Sequence, residues 1–127
     1  MPLFSHSETN LNAIFPFNKM YKILIGLVQP VKINGHKFMA KMDTGARYNS
    51  ISKDLANSIG LGPVIKVVNV RSSFGTEERG MVKAKLEIAG IEYDTNFNLA
   101  ERSHLRYPIL LGLEILKKGF IIDPSLK

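Results

Sequence analysis

The segment KFMAKMDTGA, residues 37–46, is the part of the sequence that indicates the fold and the candidate site most clearly. Its first six residues end an alternating stretch over 31–42 that carries Asn34-Gly35 in its middle, so they are predicted to be the second strand of a β-hairpin. The strand runs directly into Asp43-Thr44-Gly45, so a carboxylate stands on a tight loop at the end of a strand. Gly45 permits close approach of the backbone, and its amide can donate a hydrogen bond to that carboxylate. The Thr44 hydroxyl is expected to brace the loop.

The rest of the chain has the pattern of short strands joined by tight turns. Asn34-Gly35 and Ala89-Gly90 are predicted as hairpin turns. A helix is predicted after Ser52, its N-cap, and ends at Gly60. Strands are predicted over 22–28, 31–42, 64–70, 81–88, 91–99 and 120–123, and a second short helix over 113–117. Because no βαβ alternation occurs, we expect an all-β, closed barrel with one or two short helices.

Two further motifs lie downstream of the loop. Ser73-Phe74-Gly75-Thr76 lies in a turn between two predicted strands, and Leu110-Leu111-Gly112 precedes the second helix. With the strand, the Asp-Thr-Gly-Ala loop and the first helix, their order resembles the retropepsin-like aspartic protease superfamily over about residues 31–123. The resemblance implies that Leu110, Leu111 and Gly112 cross behind the catalytic loop, which includes Ala46, and hold it. It also implies that Ser73, Phe74, Gly75 and Thr76 form the flap.

The resemblance implies an aspartic endopeptidase in which Asp43, Thr44 and Gly45 form the catalytic loop. Such enzymes use two carboxylates that share one proton. The ionised carboxylate polarises a water as general base, while the protonated one donates a hydrogen bond to the scissile carbonyl. This sequence has one Asp-Thr-Gly, so the pair requires a two-fold axis through the site and therefore a homodimer. The expected substrate is a peptide or protein, and an acidic one would suit the basic chain.

A narrower resemblance rests on residues 43–47, 97–103, 107–112 and 120–124, which are similar to the RimK-associated family named "ATP-dependent zinc protease". Members accompany ligases that add glutamate to proteins. That name disagrees with the residues. The histidines are His6, His36 and His104, no two of them are four residues apart, and there is no cysteine. A catalytic zinc site usually takes three protein ligands with histidine prominent, so we expect no metal. No Walker-type glycine loop is present, and no cofactor is expected.

Other charged residues permit two interpretations each. Arg47 follows the catalytic loop, and its guanidinium would suit recognition of a substrate carboxylate. A structural ion pair, for example with Glu114, is the favoured alternative. Glu101 and Arg102 are assigned to a solvated loop. Asp94 and Asp123 are assigned to turns or to the surface rather than to a second catalytic carboxylate.

The composition limits the number of domains and the class of protein. The 127 residues are 45% apolar and 22% charged, which fits one globular domain. Residues 1–19 are expected to be a poorly ordered extension, and residues 20–127 the protease domain. The apolar stretch at 21–28 is far too short to span a bilayer, so we expect a cytoplasmic protein without a membrane partner.

Two alternative functions remain open at this stage. One is a retropepsin-fold module that binds peptides without cleaving them; the intact Asp-Thr-Gly-Ala loop argues for activity. The other is a β-barrel that binds nucleic acid, suggested by 17 Lys and Arg against 11 Asp and Glu and a net charge of +6. No basic run with interleaved aromatic residues occurs, so nucleic acid is the less favoured partner.

Overall fold

The computed structural model describes residues 22–126 apart from 73, 74, 103 and 104. The expected extension at 1–19 therefore lies outside the described residues. The strands are β1 Ile23–Ile25, β2 Val28–Ile33, β3 His36–Met42, β4 Asn49–Ser52, β5 Lys66–Ser72, β6 Gly75–Ile88, β7 Ile91–Ala100, β8 Ile109–Leu111 and β9 Phe120–Ile122. Helix α1, Lys53–Ser58, follows β4, and helix α2, Leu113–Leu116, follows β8. No helix among the described residues is long and apolar enough to cross a membrane.

Six strands close into a barrel in the order β2-β3-β8-β4-β7-β6. The closing pair is β2 with β6, in which Val31 lies opposite Ile88 and Ile33 opposite Leu86. Strand β5 pairs with β6 outside the barrel, and β1 and β9 form a separate parallel pair. The predicted all-β barrel with two short helices is confirmed.

The tight turns form where the sequence predicts them. Asn34 and Gly35 have φ angles of 47° and 86°, and Ala89 and Gly90 have 53° and 79°. Two consecutive positive φ angles are the signature of a type I′ hairpin, whose twist matches that of the flanking strands. These turns set the register of β2 with β3 and of β6 with β7.

The barrel interior follows the period of two along the strands. In β6, alternate residues from Val82 to Ile88 are buried, and the intervening Lys83 and Lys85 are exposed. Phe97 on β7 and Leu111 on β8 complete the same core and have no exposed surface. Fully burying an apolar side chain of this size stabilises the fold by about 1.5–3 kcal/mol. The end of β8 is therefore a rigid base for whatever packs against it.

Three strand predictions need correction. The segment predicted as one strand over 22–28 is interrupted, because the Gly26 amide donates to Gln29 Oε1 at 3.0 Å in a turn between β1 and β2. Strand β4 lies in a stretch that was predicted to lead directly into the first helix. Strand β6 begins at Gly75 rather than at 81, since it extends beyond the barrel to pair with β5.

Candidate active site

The Asp43 carboxylate stands on the loop between β3 and β4. The Gly45 amide donates to Asp43 Oδ1 at 2.9 Å, and the Ala46 amide donates to the Asp43 carbonyl at 3.1 Å. A Cβ added at Gly45 would lie 3.2 Å from Asp43 Oδ1, so the absence of a side chain there lets the backbone approach the carboxylate. The hydrogen bond from Gly45 that the sequence predicts is present. Asp43 is partly exposed, so its carboxylate is accessible.

The Asp43 loop, residues 43–46, is held from behind by β8 and the start of α2. The Asp43 amide donates to the Leu111 carbonyl at 2.9 Å, and the Leu113 amide donates to the Ala46 carbonyl at 2.8 Å. Met42 lies opposite Leu111 in the parallel pairing of β3 with β8. Both ends of the loop are therefore bonded to one crossing segment. Leu110 and Leu111 lie in β8, and Gly112 joins β8 to α2 next to the Asp43 loop.

Gly112 is the closest point between the two segments. A Cβ at this position would lie 2.5 Å from the Tyr48 carbonyl oxygen and 2.6 Å from the Ala46 carbonyl oxygen. Both neighbours are backbone atoms, which cannot rotate away as a side chain can. Position 112, the third residue of Leu110-Leu111-Gly112, has to be glycine, because backbone atoms of Ala46 and Tyr48 occupy the space that a side chain would need.

Asn49 also joins the two segments, and the sequence analysis did not identify it. Its Oδ1 accepts from the Gly112 amide at 3.0 Å, and its Nδ2 donates to the Asn96 carbonyl at 3.1 Å and to Thr95 Oγ1 at 3.2 Å. The side chain has no exposed surface. No local signal in the sequence marks this residue, because its partners lie 47 and 63 residues away in the chain.

The structure corrects one expectation for Arg47 and one for Thr44. The Arg47 guanidinium lies over the Tyr48 ring, 5.1 Å from its centroid, and forms no ion pair with Glu114 within the described residues. The link between these two residues is a backbone hydrogen bond of 3.1 Å, from the Glu114 amide to the Arg47 carbonyl. The Thr44 side chain is exposed and donates to no partner in the described part of the protomer.

The predicted flap corresponds to the hairpin of β5 and β6. Ser72 lies opposite Gly75, and Arg71 lies opposite Thr76. Ser73 and Phe74, predicted at the tip, lie outside the described residues. Gly75 and Thr76 are exposed at the start of β6. The hairpin therefore projects beyond the barrel, while its covering role stays a prediction.

A polar network connects the base of this hairpin to the barrel. Asn98 Oδ1 accepts from Ser50 Oγ at 2.8 Å and from Arg79 Nη1 at 3.1 Å, and Arg79 Nε donates to Glu77 at 2.7 Å. Asn98 is fully buried, and its Nδ2 has no hydrogen-bond partner in the described chain. Because Arg79 can only donate, the amide oxygen of Asn98 must face it.

Arg102 is not the solvated loop residue that the sequence suggested. It is partly buried, and its Nε donates to the Tyr107 carbonyl at 3.2 Å. Burial lowers the pKa of the Arg102 guanidinium, the positive charge of Arg79 lowers it further, and the negative charge of Asp43 raises it. The prediction of a solvated loop failed because the partial burial of Arg102 comes from packing that the local sequence does not show.

The remaining predicted residues behave as surface groups or turns. Asp94 is exposed and pairs with Lys85 at 3.0 Å, and Asp123 Oδ1 accepts from the Ser125 amide at 2.9 Å. Among the described residues, no three His, Asp or Glu side chains cluster in a way that could hold a metal ion.

The sequence matches the family model described as gag-polyprotein putative aspartyl protease over residues 29–118. The chain belongs to this aspartyl protease family. The matched range begins in β2 and ends after α2, so it contains all of the barrel except Val28, and it contains the Asp43 loop. No curated protein matches the chain significantly.

Solved structures share the fold of this aspartyl protease family member at low identity. EIAV protease in complex with the inhibitor HBY-793 is 20% identical, with a TM-score of 0.62, 71% of this chain and 84% of that chain covered. Simian foamy virus protease is 16% identical, with a TM-score of 0.55 over 71% and 91% of the two chains. A Legionella pneumophila protein of unknown function is 20% identical, with a TM-score of 0.62 over 83% and 95%. The retropepsin-like fold predicted from the sequence is confirmed.

Proposed function

We propose that this chain is an aspartic endopeptidase that acts as a homodimer, with one Asp43 from each protomer forming the catalytic pair. The observation that carries the proposal is the Asp43 loop, in which an accessible carboxylate accepts from the Gly45 amide and the Asp43 backbone amide donates to the Leu111 carbonyl. A carboxylate held in one orientation is what general acid–base catalysis requires. Membership of an aspartyl protease family supports the same conclusion.

In the proposed reaction, the ionised carboxylate takes a proton from a water molecule as that water attacks the scissile carbonyl carbon. The protonated carboxylate donates to the carbonyl oxygen and stabilises the charge that develops there. Collapse of the tetrahedral intermediate breaks the C–N bond, and the leaving nitrogen takes a proton from the pair. Two carboxylates this close cannot both ionise readily, which keeps one proton between them.

The exposure of the Asp43 loop supports a site completed by a second copy, since Asp43 is partly exposed and Thr44 and Gly45 are exposed. A peptide channel formed between two protomers would not be enclosed in either of them alone. We propose that the β5–β6 hairpins cover the peptide in the dimer.

The test is cleavage of a peptide library by the native chain and by Asp43→Asn. The substitution is nearly isosteric but removes the general base and the shared proton, so turnover should fall below about a thousandth of native, while circular dichroism and dimer mass stay unchanged. Asp94→Asn is the matched control, since it neutralises an exposed carboxylate and should retain full activity.

Three outcomes would overturn the proposal. Turnover by Asp43→Asn above a few per cent of native would show that residues other than Asp43 catalyse the reaction. Loss of native activity in chelator, restored by zinc, would show that a metal is required. Specific binding of peptides by a native chain that never cleaves them would support the non-cleaving module instead.

A further inference from the structure

The β5–β6 hairpin leaves the barrel at a defined point. Strand β6 pairs with β7 from Ile88 back to Met81, which lies opposite Asn98. Between residues 75 and 80 it pairs only with β5 in the described chain. A two-stranded hairpin is only marginally stable by itself in water. The direction in which this outer part projects therefore depends on side-chain contacts at its base.

Arg79 makes such a contact. It lies two residues beyond Met81 on β6, so its side chain is on the same face of the strand and diagonal to Asn98. Its Nη1 donates to Asn98 Oδ1 at 3.1 Å, and the side chain is only 16% exposed. Glu77 accepts from Arg79 Nε at 2.7 Å, but Glu77 belongs to the same strand and is largely exposed to solvent. The Asn98 contact therefore crosses from the hairpin to the barrel, whereas the Glu77 contact stays within the hairpin.

Asn98 is held in turn by strands that support the Asp43 loop. Ser50 Oγ donates to Asn98 Oδ1 at 2.8 Å, and Ser50 on β4 lies opposite Leu110 on β8. The next residue, Leu111, accepts from the Asp43 backbone amide at 2.9 Å. Asn98 has no exposed surface, so its amide oxygen is fixed within the barrel. A short path of hydrogen bonds and strand pairing thus connects the base of the hairpin to the Asp43 loop.

We propose that Arg79 is a positioning residue that holds the β5–β6 hairpin over the Asp43 loop through its hydrogen bond with the buried Asn98. The proposal rests on the proposed function, in which this hairpin covers the peptide. Arg79 touches no reacting atom and takes no part in proton transfer. It sets the angle at which the hairpin meets the peptide, so its loss should weaken peptide binding. Binding that is equal in the ground state and the transition state acts on KM and leaves kcat unchanged.

The first measurement is amide hydrogen exchange, which requires no cleavage. Arg79→Met keeps an extended side chain but removes its donors. Exchange over residues 66–80 should become about tenfold faster or more, because the lost hydrogen bond involves a charged group. Exchange over residues 28–42, in β2 and β3, should stay native. Native exchange over 66–80 would overturn the proposal, and so would an equal increase in both regions, which would show a general loss of stability.

A conservative variant guards against misfolding of Arg79→Met. Arg79→Lys keeps the positive charge and one donor group, so it should fold as the native chain does. Its exchange over 66–80 should lie between that of the native chain and that of Arg79→Met. Native exchange in both variants would overturn the role of Arg79.

Two substitutions in the same hairpin are matched controls. Arg71→Met removes an exposed arginine from β5, and Glu77→Gln removes the charge of the exposed partner while the Asn98 contact stays in place. Both should leave exchange over 66–80 within about twofold of native, because exposed charges contribute little. An effect of Glu77→Gln as large as that of Arg79→Met would assign the role to the ion pair and overturn the role of Asn98.

The second measurement is the split between KM and kcat in peptide cleavage. Arg79→Met should raise KM about fivefold or more with kcat within about twofold of native, and Arg71→Met should change neither. A fall in kcat at native KM would place the effect on the Asp43 loop and overturn the positioning of the hairpin.

Peptide binding to Asp43→Asn separates this proposal from the proposed function. The probe is a peptide that the native chain cleaves or, if none is cleaved, the tightest binder of the library. Adding Arg79→Met should weaken its binding by about fivefold or more. If exchange and binding change while the native chain cleaves nothing, the positioning role stands and endopeptidase activity fails. If the native chain cleaves peptides but Arg79→Met alters neither exchange nor KM, the activity stands and the positioning role is wrong.

Discussion

The Asn49 side chain supports the position of the Asp43 loop through its hydrogen bond with the Gly112 amide. Its amide oxygen holds the Gly112 amide, and its amide nitrogen holds Asn96 and Thr95 on the neighbouring strand. Only asparagine and glutamine carry an acceptor oxygen and a donor nitrogen in one planar side-chain amide, and glutamine is longer. The residue therefore joins β4, β7 and the segment behind Asp43.

Asn49→Ala should destabilise the protein by about 2–4 kcal/mol, because it leaves the Gly112 amide and the Asn96 carbonyl without a partner in the interior. Urea denaturation measures this change. Asn69→Ala is the matched control on the exposed face of β5 and should change stability by less than about 0.5 kcal/mol. Equal effects of the two substitutions would mean that Asn49 does not support the loop.

The sequence predicted those residues whose partners are close in the chain. The Gly45 amide bonds two residues away and the Ser52 cap three residues away, and both were predicted. Asn49 bonds to Gly112 across 63 residues, and no local pattern distinguishes such an asparagine from a surface one. Arg102 was misassigned because its partial burial comes from packing that the local sequence does not show.

At the scale of elements, the junction of β8 and α2 is bonded directly to the loop by two backbone hydrogen bonds, from the Asp43 amide to the Leu111 carbonyl and from the Leu113 amide to the Ala46 carbonyl. Gly112→Ala would bring a Cβ against the carbonyl oxygens of Tyr48 and Ala46, so either the loop or the junction must move. We expect a loss of about 3 kcal/mol in stability and at least a tenfold loss of kcat, because small shifts of a catalytic group reduce rates steeply.

Gly80→Ala is the matched control for that substitution. Its Cβ would meet only the side chain of Val64, at 3.1 Å, and Val64 is exposed and able to shift. Stability should change by less than about 1 kcal/mol and activity should stay native. Thermal melts and kcat are measured for both variants. Native activity in Gly112→Ala would show that the junction of β8 and α2 does not control the Asp43 loop.

Hairpins were the elements that the sequence predicted best. A turn with two positive φ angles defines the register of both flanking strands, so β2 with β3 and β6 with β7 follow from Asn34-Gly35 and Ala89-Gly90. Strand β4 was not predicted, because it pairs in parallel with β7 and antiparallel with β8, both more than forty residues away. The crossing of Leu-Leu-Gly behind the loop was expected only from the resemblance.

At the scale of the whole molecule, the proposed mechanism makes catalysis a property of two chains. The described chain supplies one Asp43 carboxylate, on an exposed loop, and the proposed reaction needs two. A monomer could at most bind a peptide. Activity per chain should therefore fall on dilution below the dimer dissociation constant, in parallel with the dimer fraction measured by native mass spectrometry.

Mixing native and Asp43→Asn chains tests the shared pair directly. If protomers exchange at random, an equal mixture contains about a quarter native homodimers, half mixed dimers and a quarter variant homodimers. A mixed dimer has one carboxylate and should be inactive, so activity should fall to about half of that expected from the native chains present. Mixing with Asp94→Asn chains, which keep Asp43, should cause no loss. Activity that stays proportional to the amount of native chain, after exchange is verified by mass, would show that each Asp43 works alone and that the two-chain site is wrong.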